Sequence, residues 1–176
     1  MKYNLKISKN KKLEINNEYK PILAKKEDIP QMNKICKDFW GEGGKYPDEY
    51  FINAIQQNLS YVYKEKNIII AFCVVEYDKG DEKICIDFLC VKPEYQRKGF
   101  GKSLLTFCLK NCFEKGYTEF YLYVAVTNIK ALKLYRKLGF YKAKFVKNYY
   151  FNDKPPDNDA FLMKLFITDK NFEKLI

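Results

Sequence analysis

The apolar run that ends at Val91 passes directly into Lys92-Pro93-Glu94-Tyr95-Gln96-Arg97-Lys98-Gly99-Phe100-Gly101-Lys102-Ser103, a basic loop with two glycines that opens an amphipathic helix. The apolar residues that follow (Phe100, Leu104, Leu105, Cys108, Leu109, Cys112 and Phe113) recur at helical spacing. The loop amides therefore sit at a helix N-terminus, where the positive end of the dipole and unpaired N–H groups favour a phosphate-like anion. Gly99 and Gly101 allow a tight turn and close approach of the backbone to a ligand.

Spacing narrows the choice of anion. The nucleotide P-loop shares Gly101-Lys102-Ser103 but needs a glycine where Gln96 stands. The dinucleotide fingerprint needs a third glycine where Leu104 stands, and an N-terminal strand before it. The remaining pattern, Gln96-x-x-Gly99-x-Gly101, resembles the pyrophosphate-binding loop of the GNAT superfamily of N-acetyltransferases, which cradles acetyl-CoA.

Bulk properties fit such an enzyme. A chain of 176 residues, 47% hydrophobic, can bury the core of one domain. We expect a single domain over residues 19–176 and an N-terminal extension, residues 1–18, without an assigned role. The longest apolar stretch, Ile68 to Val75, is far short of the ~20 residues that span a bilayer. Met1 to Glu18 has no apolar core of a signal peptide, which points to the cytoplasm. Six cysteines without a secretion signal read as buried thiols. Cys108 and Cys112 lie one turn apart on the apolar stripe, and the chain has no histidine, so no metal site is expected. The net charge of +10 is almost all lysine spread along the chain, with arginine only at Arg97 and Arg136; this argues against specific nucleic-acid binding.

The elements alternate. Tyr19 to Ala24 reads as a strand, and Asp28 as the cap of a helix with Pro30 in its first turn and Ile29, Met32, Ile35, Cys36 and Phe39 inward. A second helix carries Phe51, Ile55 and Leu59. Tyr61–Lys64 and Ile68–Tyr77 form a hairpin, Lys83–Val91 a further strand, and the glycine-loop helix stops at Gly116. Glu119–Val126 is a strand, Asn128 caps a helix that ends at Gly139, and Phe140–Lys147 and Asp159–Ile167 close the chain as strands. The fold class is α/β (α+β), a mixed, mostly antiparallel sheet flanked by helices.

This order resembles the same superfamily from about Lys20 to Ile167, and Asn128 to Phe140 resembles its asparagine-to-Gly-Phe segment. Asn148-Tyr149-Tyr150, the acidic proline-bearing loop and Asp159-Ala160-Phe161-Leu162-Met163 resemble the protein N-terminal acetyltransferases of the ribosomal-protein-alanine type. The resemblance implies that Leu89, Cys90 and Val91 pair with the pantetheine arm, with the Val91 amide facing the thioester oxygen. It implies that Gln96, Arg97, Lys98, Gly99, Phe100, Gly101 and Lys102 hold the pyrophosphate and that Asn128 steadies the arm. Tyr135 becomes the general acid, and Trp40, Tyr149 and Tyr150 wall the acceptor groove.

The base departs from the pattern. The alanine-type enzymes carry a glutamate, and some relatives a histidine, where this chain has Tyr123. Asp87, a carboxylate within an apolar strand, is the preferred base, with Tyr123 assisting through water. An α-amine of pKa near 8 is roughly a tenth neutral at pH 7, against under about 0.1% for a lysine amine, so an N-terminal acceptor tolerates a weak base best. The implied partners are acetyl-CoA and a protein or peptide N-terminus, with no nucleic acid and no membrane, for a monomer or homodimer. A small-molecule amine acetyltransferase (polyamine or aminoglycoside-like) and a non-catalytic acetyl-CoA-binding module remain alternatives.

Overall fold

The computed structural model describes residues 19–41, 46–80, 82–150 and 158–172. The extension over residues 1–18, and part of the loop joining the last two strands, lie outside them. Among the described residues seven strands form one sheet: β1 (Ile22–Leu23), β2 (Tyr61–Glu65), β3 (Ile68–Asp78), β4 (Lys83–Val91), β5 (Glu119–Ala125), β6 (Tyr141–Val146) and β7 (Ala160–Phe166). The order is β1-β2-β3-β4-β5-β7-β6, and every pairing is antiparallel except that of β4 with β5. The helices are α1 (Ile29–Trp40), α2 (Asp48–Gln56), α3 (Phe100–Glu114), α4 (Ile129–Lys137) and the short α5 (Asp169–Phe172).

Strand alternation divides the apolar residues between two cores. Val62, Phe72 and Val74 pack with Met32 and Ile35 of α1 and Phe51 of α2. Tyr61, Tyr63, Ala71 and Cys73 turn the other way, toward Leu104 and Cys108 of α3 and Leu132 and Tyr135 of α4. In β4 the regular sequence alternation conceals a change of face. Val74 pairs with Phe88 but Val75 with Ile86, so Asp87 is the extra residue of a β-bulge. Before the bulge Ile84 and Ile86 join the core under α3; after it Phe88 and Cys90 join the core under α1 and α2.

The element order matches the sequence reading, with shifts at the ends. β1 is shorter than Tyr19–Ala24 because Pro21 has no N–H for the ladder. Asp28 does not cap α1 with its side chain. Its carboxylate, buried at 2% exposure, accepts the Lys25 N–H at 3.1 Å and pairs with Lys64 Nζ of β2 at 2.5 Å. The second helix stops at Gln56, short of Leu59, where Asn58 at φ +56° turns the chain. Asn128 does cap α4, accepting the Ala131 N–H at 3.1 Å. All six cysteines are free thiols. Among the described residues no helix is long and apolar enough to cross a membrane, and no group of cysteine and acidic residues could hold a metal ion.

Gly139 ends α4 at φ +91°, and a Cβ there would stand 3.2 Å from Leu165 Cδ1. Left-handed backbone costs a non-glycine residue about 1–2 kcal/mol. Gly139→Ala is therefore expected to lower the Tm by roughly 3–8 °C in a thermal melt, whereas an unchanged Tm would show that the turn relaxes freely.

Candidate active site

β4 and β5 pair only at Ile84 with Phe120 and Cys85 with Tyr121. Beyond that point the strands part, although β4 runs on to Val91 and β5 to Ala125. The bulge at Asp87 lies just past the last pair and bends β4 where the separation begins. A cavity of about 760 Å³ opens there, within the range of small-molecule sites.

The floor of the cavity is the end of β4. Lys92 donates to the Ile70 carbonyl of β3 at 2.9 Å, which fixes the phase of the β3–β4 ladder. Alternation then makes Phe72 and Cys90 a hydrogen-bonded pair, while Leu89 and Val91, opposite Cys73 and Ala71, turn their main-chain groups away from β3 toward the cleft. Of the three residues expected to meet the pantetheine arm, Cys90 thus has its main chain engaged with β3.

The far wall is the glycine loop. Gly99, at φ +93°, is the N-cap of α3, and the first intrahelical bond runs from the Ser103 N–H to the Gly99 carbonyl at 3.0 Å. The amides of Phe100, Gly101 and Lys102 precede it and have no acceptor within the helix. The Phe100 ring is buried in the core at 2% exposure, so only its main chain is available to the cleft. Gln96 turns its side-chain amide back to the Val91 carbonyl at 3.0 Å, bracing the loop against β4. Lys98 Nζ lies 5.2 Å from the centre of the Tyr95 ring. Gly101 differs from the sequence reading: its backbone needs no glycine turn. A Cβ at Gly101 would stand 3.5 Å from Val91 Cγ2, 3.8 Å from Leu134 Cδ2 and 4.0 Å from Leu89 Cδ2. Such a methyl fits, but it fills the gap between β4 and α4, so Gly101 keeps the cleft floor clear.

Gln96, Arg97, Gly99, Gly101, Lys102, Asn128, Tyr135 and Trp40 all line the cavity with the end of β4. So do Phe39, Tyr95, Lys130, Ala131 and Leu134, which the sequence reading did not assign to the site. Ala131 and Leu134 of α4 pack against the core beside α3 and, where β4 separates from β5, also face the cavity. Tyr135 is 8% exposed, and burial pushes its phenol well above the usual value. It keeps its proton and is suited to donate a hydrogen bond.

Asp87, Tyr123, Tyr149 and Tyr150 stand outside the cavity lining, in a second cluster beside it. Tyr123 and Tyr149 stack at 4.1 Å with an angle of 14° between ring planes, and Tyr149 meets Tyr150 edge-on at 4.9 Å. Burial, then Tyr150, Tyr123, Cys85 and Asp87, raise the Tyr149 phenol, while Tyr150 acts in turn on Tyr135. The tyrosine pair therefore adjoins both the cavity and the carboxylates. Its base is braced by the Tyr150 N–H on the Asn158 carbonyl at 2.9 Å and the Asn148 N–H on Asp159 Oδ1 at 2.8 Å.

Asp87 Oδ1 accepts from the Cys85 thiol at 2.9 Å, while Oδ2 is buried without a hydrogen-bond donor in good geometry. Tyr50 of α2 and Glu76 of β3 are the groups that face it. Burial, the charge of Asp87 and a hydrogen bond shared with it push the Glu76 carboxyl up to about 7. The sequence reading missed Glu76, whose one signal is that it ends the apolar run of β3 on the same side as Phe72 and Val74.

Comparison with known proteins agrees with this architecture. Human cysteine-rich protein 2-binding protein is 30% identical over 128 residues, 69% of this chain; the chain spans only 15% of that protein's length. The [Ribosomal protein bS18]-alanine N-acetyltransferase of Haemophilus ducreyi is 32% identical over 109 residues, covering 62% of this chain and 74% of the relative. Among solved structures, the NatC complex bound to Gag peptide and CoA contains a chain that superposes with a TM-score of 0.74 at 25% identity, covering 85% of this chain and 98% of that one. The model of the acetyltransferase (GNAT) family matches residues 29–140. Because that span holds every residue lining the cleft, the match and the geometry agree that the chain belongs to the acetyltransferase (GNAT) family.

Proposed function

We propose that the protein is an acetyl-CoA-dependent N-acetyltransferase acting on the α-amine of a protein or peptide, in the cytoplasm. The observation that carries the reading is the junction of two sites: a cleft ending in a helix N-terminus, and beside it a tyrosine-walled carboxylate pair. The relative named as a ribosomal-protein-alanine N-acetyltransferase supports the choice of acceptor. Six free thiols suit a reducing compartment.

The residues present fit the cofactor. Main-chain amides from Arg97 to Lys102 would take the diphosphate, and Arg97, Lys102 and Lys130 line the same wall with positive charge. Asn128 and the outward-turned main chain of Leu89 and Val91 would hold the arm, with the Val91 N–H placed for charge developing on the acyl oxygen. Acetyl-CoA supplies the acyl group as a thioester with a thiolate leaving group. Tyr135, a buried protonated phenol on the cavity wall, would donate a hydrogen bond toward that sulfur. Trp40, Tyr149 and Tyr150 wall the acceptor groove. Asp87 and Glu76 accept the amine proton as a pair, replacing the glutamate absent at Tyr123, which assists through water.

Free-thiol release from acetyl-CoA tests this directly, comparing peptides of varied N-terminal residue, the same peptides blocked at the N-terminus, and spermidine. Turnover of unblocked peptides alone is expected. Turnover of spermidine alone would move the enzyme to small-molecule amines, and cofactor binding without any turnover would make it a binding module. Tyr135→Phe and Asp87→Asn should each lower kcat by about 10²–10³-fold.

The pH profile follows from the Glu76 shift to about 7. Below that pH the carboxyl is protonated and cannot accept the amine proton, so kcat/KM falls on the acid side. The α-amine adds a second limb near pH 8. In Glu76→Gln only the amine's limb should remain, so an acid side that keeps its two-proton steepness would contradict the pairing. Gly101→Ala should raise the Tm slightly, by the roughly 1 kcal/mol of helix propensity, while weakening acetyl-CoA in calorimetric titration; equal affinity would contradict the role given to the gap.

A further inference from the structure

Glu65 ends β2 at the tip of the β2–β3 hairpin, yet both of its oxygens are engaged. Oε1 accepts the Tyr19 hydroxyl at 2.5 Å and Oε2 accepts the Tyr95 hydroxyl at 2.6 Å. Tyr95 closes the short 3-10 turn Pro93–Tyr95 that leads into the glycine loop, and it lines the cleft. Its ring lies edge-on to Phe100 at 5.9 Å, and Tyr19 meets the same Phe100 ring edge-on at 5.2 Å. Two residues earlier, on the same strand face, the Tyr63 hydroxyl shares a hydrogen bond with Ser103 Oγ, in the first turn of α3, at 2.8 Å. The end of β2 thus grips the glycine loop on its entry side and α3 on its exit side.

The loop needs such a grip. Arg97 sits at φ +60°, a left-handed conformation that costs a non-glycine residue about 1–2 kcal/mol and persists only where the surroundings over-determine it. Gln96 on the Val91 carbonyl supplies one restraint and Tyr95 on Glu65 the other. Attraction does not explain Glu65, since a carboxylate beside an anion-binding loop opposes the charge of its ligand. Nor does it answer a buried cation: the nearby lysines act on it only weakly, behind its two tyrosine hydrogen bonds. Its contribution is geometric. A carboxylate offers a separate acceptor oxygen to each hydroxyl, where an amide would present a donor nitrogen on one side. Those hydrogen bonds, Tyr19 first, hold the Glu65 carboxyl below the usual range, and the bond to Glu65 pushes the Tyr95 phenol up to about 12, so the contact keeps its protonation state across neutral pH.

We propose that Glu65 is a positioning residue for the diphosphate loop, acting through Tyr95 to hold the Gln96–Gly99 turn in the conformation that receives the cofactor; this rests on the cleft being the acetyl-CoA site. Its signature is a split between the two substrates: cofactor affinity depends on Glu65, while the acceptor and the chemical step do not.

The test uses the full chain and measures acetyl-CoA affinity by calorimetry, KM for each substrate, kcat and Tm for Tyr95→Phe, Glu65→Ala and Glu65→Gln. Tyr95→Phe keeps the ring and its packing, so it guards against a variant that merely fails to fold. Loss of the Tyr95–Glu65 hydrogen bond, common to both variants, should raise Kd and KM for acetyl-CoA by about 5–20-fold in Tyr95→Phe and Glu65→Ala, with kcat and acceptor KM within about twofold. Glu65→Gln, which can accept from one tyrosine and donate to the other, should recover most of the affinity. Wild type binding acetyl-CoA while Tyr95→Phe and Glu65→Ala bind equally well would overturn the positioning role alone. So would variants whose kcat and acceptor KM move together with the cofactor term. Wild type that binds no acetyl-CoA would overturn the cleft reading itself, and this inference with it.

Discussion

The bulge at Asp87 is the constraint on which the rest of the site depends. One unpaired residue in β4 bends the strand just beyond its last contact with β5, and the two strands part. Separation leaves the main-chain groups of Leu89 and Val91 facing a cleft instead of a neighbouring strand. Unpaired backbone groups need partners. Gln96 takes the Val91 carbonyl, and the fold offers the remaining groups to a ligand rich in amides. The same bulge moves Phe88 and Cys90 to the face under α1 and α2, which ties the floor of the cleft to both cores.

The bulge also brings carboxylates together. Asp87 is carried beside Glu76 of the adjacent strand and Tyr50 of α2, and two acids in a partly buried place cannot both ionise freely. Burial and the charge of Asp87 raise the Glu76 carboxyl to about 7, which under the proposed function would give the site an acceptor at the working pH of an α-amine. Tyr123 stands where the related enzymes resembled by this chain carry a glutamate, and it is stacked on Tyr149. Under the proposed function, carboxylates of the β3–β4 ladder would serve in place of one on β5, whose Tyr123 stacks on Tyr149 instead.

Local signals were legible in the sequence. The glycine loop, the Asn128 cap and the Gly139 stop each rest on chemistry within a few residues, and each appears where the pattern put it. β4 ran from Lys83 to Val91 as expected, yet its face switch was invisible because Ile84, Ile86, Phe88 and Cys90 are all buried whichever core they enter. Glu76 was missed for a related reason: what makes it notable is Asp87 across the ladder, and single-sequence periodicity does not report registry between strands. Glu65 was hidden likewise, since a charged residue at a hairpin tip reads as solvated surface until Tyr19 and Tyr95 are seen converging on it. Asp28 erred in the opposite direction. Local capping logic suggested a helix start, and a long-range partner, Lys64, claimed the carboxylate.

The central claim is that the strand separation at Asp87 joins a diphosphate site to a carboxylate-lined amine site. A crystal structure of the protein with coenzyme A covalently joined through an acetyl bridge to a peptide N-terminus would test it most directly. The account predicts the diphosphate on the amides of residues 97–102, the arm along Leu89 and Val91, and the peptide's first residue against Tyr149 with its nitrogen turned toward Asp87 and Glu76. A diphosphate seated elsewhere, or a peptide entering on a path that leaves the two carboxylates remote from its nitrogen, would contradict it.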